Sequence, residues 1–399
     1  MSALPGKALI LVENLSVPFD RRVWQESQTL RDAGWDVHVI CPQGTKRDRE
    51  PYVELDGVQI HRYPLDAATG GPRGYVKEYG AALWHTMRLA RAISKAGKID
   101  VVHACNPPDL LYLVAKMLRR KGTRFVFDQH DLCPELYLSR FANRGKDALY
   151  NAVCRLERAT YRAADVVIST NESYRTAAIT RGGMDPDKVF VVRSAPVIDR
   201  FRQVAPEPEL KKGRPHLLCY LGVMGPQDGV DYALRSLALL RDELGRDDWH
   251  AVFVGAGDTF DEMVALAKRL GLDDVVEFTG RIPDEDLVRY LSTADVCLSP
   301  DPHNPLNDVS TMNKVMEYMA MSRPIVSFEL TEARVSAGEA AVYAPANDEL
   351  EFARLTARLL DDPEERARMG KLGKERVEGP LAWSNSQKAL LAAYEAATS

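Results

Sequence analysis

The densest reactive stretch is Asp301-Pro-His-Asn-Pro-Leu-Asn-Asp308-Val309-Ser310-Thr311-Met-Asn-Lys314-Val-Met-Glu317, which follows the apolar run Asp295-Val-Cys-Leu-Ser-Pro300. Ser310 or Thr311 is placed to cap a helix whose first-turn amides form an anion site, with Asp308 and Val309 beside it. Lys314 falls in that first turn, where a cation opposes the helix dipole unless an anion joins it. Glu317 lies three residues on, on the same face. A carboxylate beside a lysine and a helix N-terminus is expected to stay ionised, and it suits a two-pronged grip on vicinal hydroxyls such as those of a ribose. The competing reading is an i,i+3 surface pair, against which the apolar neighbours Val315, Met316 and Met319 count.

A second group, Asp128-Gln-His130-Asp131-Leu-Cys133-Pro-Glu135, ends another apolar run. His130 can move a proton or bond a substrate hydroxyl. Cys133 precedes Pro134 in what reads as an extended stretch with no helix dipole to lower its pKa, so a thiol nucleophile is not expected. Hydrogen bonding within a loop is the plainer alternative. Asp20-Arg21-Arg22 enters a helix, either as an anion site or as an N-cap aspartate with a solvated arginine pair. Without a glycine-rich fingerprint there, a dinucleotide is disfavoured. Gly222, Gly225 and Gly229, then Gly255 and Gly257, follow two further apolar runs and would let backbone approach a phosphate. Arg281 and Ile282 stand where backbone groups could meet a nucleobase. The six cysteines include no CxxC pair, no cleft loop carries a DxD-type carboxylate pair, and no metal site is expected.

These groups must be held by the elements that precede them. Short apolar runs recur near 8–14, 36–42, 58–64, 100–106, 124–130, 165–171 and 188–194, separated mostly by segments of helical period. Continuous apolar strands alternating with helices predict βα units and a parallel sheet covered on both faces. A linker with four prolines, at 194–215, breaks the pattern, which then restarts. The expectation is a domain at 1–200, a second at 201–380, and a helix at 381–399 returning to the first. Ligands of such sheets bind outside the carboxyl ends of the strands.

Composition sets the outer bounds. Of 399 residues, 45% are hydrophobic and 27% charged, the mix of a globular protein. No window approaches the roughly 18 unbroken apolar residues of a membrane span. The N-terminal apolar run lacks a charged flank and meets Glu13, so it reads as a strand and not a signal peptide. A reducing cytoplasm is the simplest reading of the unpaired cysteines. The net charge of −5 argues against nucleic acid as a partner. The charge is uneven: 30 basic against 23 acidic residues in 1–200, then 22 against 34 in 201–399.

Glu317-Tyr-Met-Ala-Met-Ser-Arg-Pro324 resembles the second half of the signature of the family 4 retaining glycosyltransferases, which have the GT-B fold. The Asp20 helix, the His130 loop, Gly222…Gly229, Val254-Gly-Ala-Gly-Asp258, Gly280-Arg-Ile-Pro283 and Ala294-Asp-Val-Cys-Leu-Ser-Pro300 follow in that family's order, so the resemblance covers nearly the whole chain. It implies an α/β GT-B fold with two Rossmann-like doubly wound parallel-sheet domains. It further implies a metal-independent retaining transfer from a nucleotide-diphosphate sugar, UDP-type by expectation, to a hydroxyl acceptor, in polysaccharide or glycoconjugate biosynthesis. The sugar donor is a substrate, and no cofactor is implied. By this resemblance Glu317 holds the ribose, and Lys314 with the amides around Ser310 and Thr311 holds the diphosphate. Arg281 and Ile282 flank the base, and His130 contacts the transferred sugar. The first domain, with Asp20, Arg21, Arg22, Asp131 and Glu135, faces a sugar or lipid-linked sugar acceptor. The family's first glutamate is replaced here by Val309, with Asp308 beside it. Two other readings fit the frame: a relative acting on the donor alone, such as a nucleotide-sugar epimerase, and a catalytically silent scaffold.

Basic residues cluster at Lys116–Arg124 and Arg140–Lys146, and Arg73, Tyr75, Lys77 and Tyr79 lead into a helix carrying Trp84. Aromatic and basic residues together suit peripheral contact with an anionic membrane at its inner face. Solvated helix ends explain the same charges.

Overall fold

The computed structural model describes residues 6–44, 47–65, 71–119, 122–141 and 145–399, without the side chains of 71–73. Arg120, Lys121 and Arg144 of the basic clusters, and the side chain of Arg73, therefore lie outside what is described. The chain divides into two compact units, Met1–Ser194 with Ser384–Ser399, and Ala195–Trp383.

The first unit is built on β1 (Lys7–Leu11), β2 (Asp36–Pro42), β3 (Tyr52–Leu55), β4 (Val58–Tyr63), β5 (Val101–Cys105), β6 (Arg124–Gln129), β7 (Val166–Ser169) and β8 (Val189–Val191). They form one sheet in the order β3-β4-β2-β1-β5-β6-β7-β8. All pairings are parallel except β3 with β4, an antiparallel edge absent from the sequence reading. Its signal is Asp56-Gly57, both at positive φ, which make the two-residue turn a hairpin prefers. The terminal helix Trp383–Thr398 packs in this unit, with Tyr394 edge-on to Trp35 at 5.1 Å.

The second unit holds β9 (His216–Leu221), β10 (Trp249–Val254), β11 (Val276–Gly280), β12 (Val296–Ser299), β13 (Ile325–Phe328) and β14 (Ala341–Ala344). Their order is β11-β10-β9-β12-β13-β14, all parallel. Side chains of a strand alternate between faces. Along β9, Leu218 and Tyr220 enter one core while Leu217 and Cys219 enter the other. Both faces of the sheet are buried, which is why these strands read as unbroken apolar runs.

Each sheet reverses its strand order once, beside β1 in the first unit and beside β9 in the second. Both therefore have the switch point at which open α/β sheets leave a crevice outside the strand ends. Among the described residues no helix is long and apolar enough to cross a membrane.

Candidate active site

In the second unit, the helix Asn313–Ala320 follows β12 and the short 3-10 turn Asn307–Val309. Its N-cap is Met312, with no side-chain cap. The expected caps serve elsewhere: the Ser310 hydroxyl donates to Leu306 O at 2.7 Å, closing the preceding turn, and Thr311 stands one residue before the cap. Asp308 accepts from the Thr331 amide at 2.9 Å and hydroxyl at 3.1 Å, so its carboxylate starts the next helix. Val309 donates its amide to Leu306 O at 3.3 Å within the same turn.

Lys314 is buried and already has an anion. Its Nζ lies 2.5 Å from Oδ1 of Asp301, which is 1% exposed, and 5.2 Å from the centre of the Tyr220 ring. Asp301 in turn accepts from the Ser299 hydroxyl at 2.8 Å. Glu317 is half-buried, and burial pushes its carboxyl up to about 7 while the Arg200 guanidinium opposes the rise. The sequence expectation of a firmly ionised Glu317 is thus corrected: desolvation outweighs the nearby cation. Arg200 itself forks Asp284, and its Nη1 is buried without a partner.

The glycines act first on the fold. A Cβ at Gly255 would stand 1.8 Å from Gly222 O, and one at Gly229 2.0 Å from Pro300 O, so neighbouring strand-end loops touch through bare backbone. A Cβ at Gly222 would crowd Tyr220 and Lys314, and one at Gly257 would crowd Met224 O. The amides of Gly222, Gly225 and Gly255 donate to Val254 O, Asp228 Oδ2 and Gly280 O. Three of the amides expected to face a phosphate are therefore engaged internally. Arg281 is exposed after β11, and Ile282 packs partly against the core.

In the first unit the strand ends gather a buried ionic network. Asp20 caps the helix Arg21–Asp32, accepting from Val23 N at 3.1 Å. The arginine pair separates: Arg21 is exposed, but Arg22 is buried, which corrects the solvated-pair reading. Arg22 Nη2 lies 2.8 Å from Asp128 Oδ1 and 3.1 Å from Glu26 Oε1, and Nη1 donates to Val192 O at 2.7 Å. His130 Nε2 lies 2.5 Å from Asp128 Oδ2, and its backbone amide donates to Asn106 Oδ1 at 2.7 Å. Burial opposes ionisation of Asp128, yet Arg22 and His130 hold it well below the usual carboxylate range. Burial drives Glu26 well above its ordinary value against the pull of Arg22. The two carboxyls around the one guanidinium are thus pushed in opposite directions, Asp128 toward ionisation and Glu26 away from it.

Metal-type donors of Glu26, Cys105, Asp128 and His130 lie within 4.8 Å of one another. The Arg22 guanidinium lies among them, 2.8 Å from Asp128, 3.1 Å from Glu26 and 3.0 Å from His130, while the Glu26 oxygens keep no hydrogen bond. Asp131, raised by burial, offers its carbonyl to Asn106 Nδ2 at 2.8 Å. Glu135 pairs with Arg181 at 2.5 Å, away from the Asp128 cluster. Cys133 begins the helix Cys133–Arg140 instead of lying in an extended stretch, and burial then Asp109 push its thiol well up. It is inert for the second reason, not the first.

The family model described as "Glycosyl transferase 4-like domain" matches residues 20–195, and "Glycosyl transferases group 1" matches 215–362. Between them they take in most of the chain, and the gap between the two matches falls just after the first unit gives way to the second along the chain. The chain is a group 1 glycosyltransferase of the family 4 type. This glycosyltransferase is similar to "MMP alpha-(1->4)-mannosyltransferase" of Mycolicibacterium hassiacum, 24% identical over 398 residues, covering 93% of this chain and 92% of that one. Its fold matches the sucrose-phosphate synthase of Thermosynechococcus elongatus with a TM-score of 0.79, at 19% identity and 98% coverage of both chains. The Anabaena protein HepE, solved in complex with UDP-glucose, matches with a TM-score of 0.73 at 14% identity, over 98% of this chain and 99% of that one. The fold of the glycosyltransferase is GT-B.

Sequence reasoning missed three residues of these networks. Asp301 directly follows an apolar strand, the signal that marks a site position, but its pairing to Lys314 depends on a helix turning back. Arg200 lies in the proline-rich segment taken for a linker. His103, wholly buried in β5, reads as part of an apolar run until its neighbours are known.

Proposed function

We propose that this glycosyltransferase moves a sugar from a UDP-type nucleotide sugar to a hydroxyl acceptor, with retention and without a metal. The carrying observation is the buried Lys314–Asp301 pair one turn from Glu317, outside the carboxyl ends of the strands. The second unit serves the donor. Glu317, in its ionised form, accepts from the ribose hydroxyls. Lys314, held in place before the ligand arrives, and the open first turn of its helix stabilise the leaving diphosphate, so little reorganisation is needed at reaction. The first unit serves the acceptor, a sugar or a lipid-linked sugar. His130, anchored by Asp128, orients the transferred sugar. In a front-face displacement the acceptor oxygen bonds to the anomeric carbon as the bond to the phosphate oxygen breaks on the same face. That phosphate oxygen receives the acceptor's proton. Positioning and charge stabilisation carry such a step.

The test is a comparison of UDP, GDP and ADP by thermal shift, where ligand at 100 Kd adds about 2.7 kcal/mol of stability, followed by turnover. His130→Ala should lower turnover about 10- to 100-fold with UDP affinity kept, and activity should survive excess EDTA. Loss of UDP affinity with turnover intact, or a strict need for divalent metal, contradicts the reading.

Peripheral membrane contact is part of the same proposal. Trp84 is 61% exposed and Val76 65% exposed on the helix Gly71–Ala96. Arg140 donates to the Tyr75 hydroxyl at 2.9 Å and lies over its ring. Arg119 and Arg124 instead pair with Asp165, which lowers the charge of their cluster. Co-sedimentation with anionic vesicles at low salt, lost with neutral ones, is the expected result; protein left in the supernatant refutes it.

A further inference from the structure

A second histidine approaches the Asp128 oxygen that His130 contacts. His103 is wholly buried in β5, with Nε2 3.3 Å from Asp128 Oδ2 and 3.7 Å from Glu26 Oε2. Its Nδ1 lies 3.0 Å from the hydroxyl of Tyr394, a residue of the terminal helix 291 positions later in the chain. We propose that Tyr394 and His103 are positioning residues for the His130 site: the tyrosine hydroxyl selects the histidine tautomer that directs an N–H at Asp128.

The tautomer follows from charge. If Nδ1 carried the proton, Nε2 would turn a lone pair toward the Asp128 carboxylate at a fully buried position, which is repulsive. If the tyrosine donates to Nδ1, Nε2 carries the proton and faces an acceptor. Burial pushes the His103 imidazole below its ordinary value and the Tyr394 hydroxyl well above, so a neutral imidazole meets a protonated phenol. The groups facing Asp128 are then Arg22 and Glu26 from the first helix, His103 and Cys105 from β5, and His130 from its own strand end. Arg22 donates to the Asp128 carboxylate and His130 Nε2 lies within hydrogen-bond distance of it, while His103 Nε2 faces it at 3.3 Å with no hydrogen bond of its own. Taking one away leaves a buried carboxylate with less support, and the Arg22 fork and the His130 ring lose their fixed reference. The second shell of a reactive histidine decides its tautomer and orientation in the same manner.

This inference rests on the role proposed for His130, and the experiment separates the two. Tyr394→Phe keeps the ring against Trp35 and removes only the hydroxyl. In two-bond 1H–15N spectra of the imidazoles, with His103 assigned from His103→Gln, wild-type His103 should show the Nε2–H tautomer. In Tyr394→Phe it should shift toward a mixture. Turnover of UDP-glucose should fall about three- to tenfold with KM for UDP-glucose within about twofold. His103→Gln, whose amide N–H reaches toward the place of Nε2–H, should keep more turnover than His103→Leu. Wild-type His103 protonated at Nδ1, or Tyr394→Phe with unchanged tautomer and turnover, overturns the proposal. A variant that loses only thermal stability also overturns it, because the hydroxyl then merely docks the helix. If His130→Ala leaves turnover intact, the His130 reading fails, while the tautomer result still decides what Tyr394 and His103 do.

Discussion

Nucleotide affinity should depend on pH through Glu317. Burial places this carboxyl at about 7 with the Arg200 guanidinium holding it from rising further. In the proposed donor site only the ionised form would accept from both ribose hydroxyls. Lowering the pH from about 8 to about 6 cuts the ionised fraction about tenfold, equal to about 1.4 kcal/mol of binding. The sign is that of a raised carboxyl: affinity is full above the midpoint and is lost as the pH falls through it. Isothermal titration of UDP at several pH values measures the slope. Glu317→Gln supplies the control, because the remaining pH dependence is then that of the nucleotide's own phosphate. Arg200→Ala should move the midpoint upward, since the cation that favours ionisation is gone. A wild-type slope equal to that of Glu317→Gln would refute the assignment of Glu317 to the ribose.

Asp301→Asn should lower stability by about 3 kcal/mol, because Lys314 stays buried without its anion, and UDP should then raise the melting temperature more than in wild type. A smaller UDP shift in the variant contradicts the view that diphosphate and Asp301 serve the same ammonium. Glu13, 3% exposed with Oε1 unpartnered, is pushed up to about 8 by burial and then Glu78. A carboxyl with a folded pKa above its unfolded value costs the fold as the pH rises from about 4.5 to about 8. Glu13→Gln should therefore stabilise at pH 8, by at most about 4–5 kcal/mol at 1.36 kcal/mol per unit, and have little effect near pH 4.5. Equal changes in melting temperature at both pH values would refute this.

Much of the fold is legible in the chain. Parallel strands buried on both faces must be apolar throughout, so their runs stand out, and helices of amphipathic period lie between them. The proline-rich break marks the passage from one unit to the other. Site positions are legible for the same reason, since polar residues directly after apolar strands fall at strand ends. That logic singles out His130, whereas Lys314 and Glu317 stand out by their i,i+3 spacing in the helix after β12. It fails at the hairpin Tyr52–Leu55, whose short, exposed edge strand has no buried face to pattern it.

Charge states and partners were decided only by the tertiary structure. Lys314 meets Asp301 thirteen positions away, Arg22 meets Asp128 across 106, and His103 meets Tyr394 across 291. Local spacing carries no trace of such pairs, because each depends on two elements brought together by packing. Spacing alone left Arg21-Arg22 as an anion site or a solvated pair and suggested a firmly ionised Glu317; burial encloses Arg22 and raises the Glu317 carboxyl to about 7, since desolvation depends on what covers a group and not on its neighbours in the chain. The sequence by itself determined which residue types stand at the strand ends. Packing determined which of them are dry, which are paired, and so which carry charge.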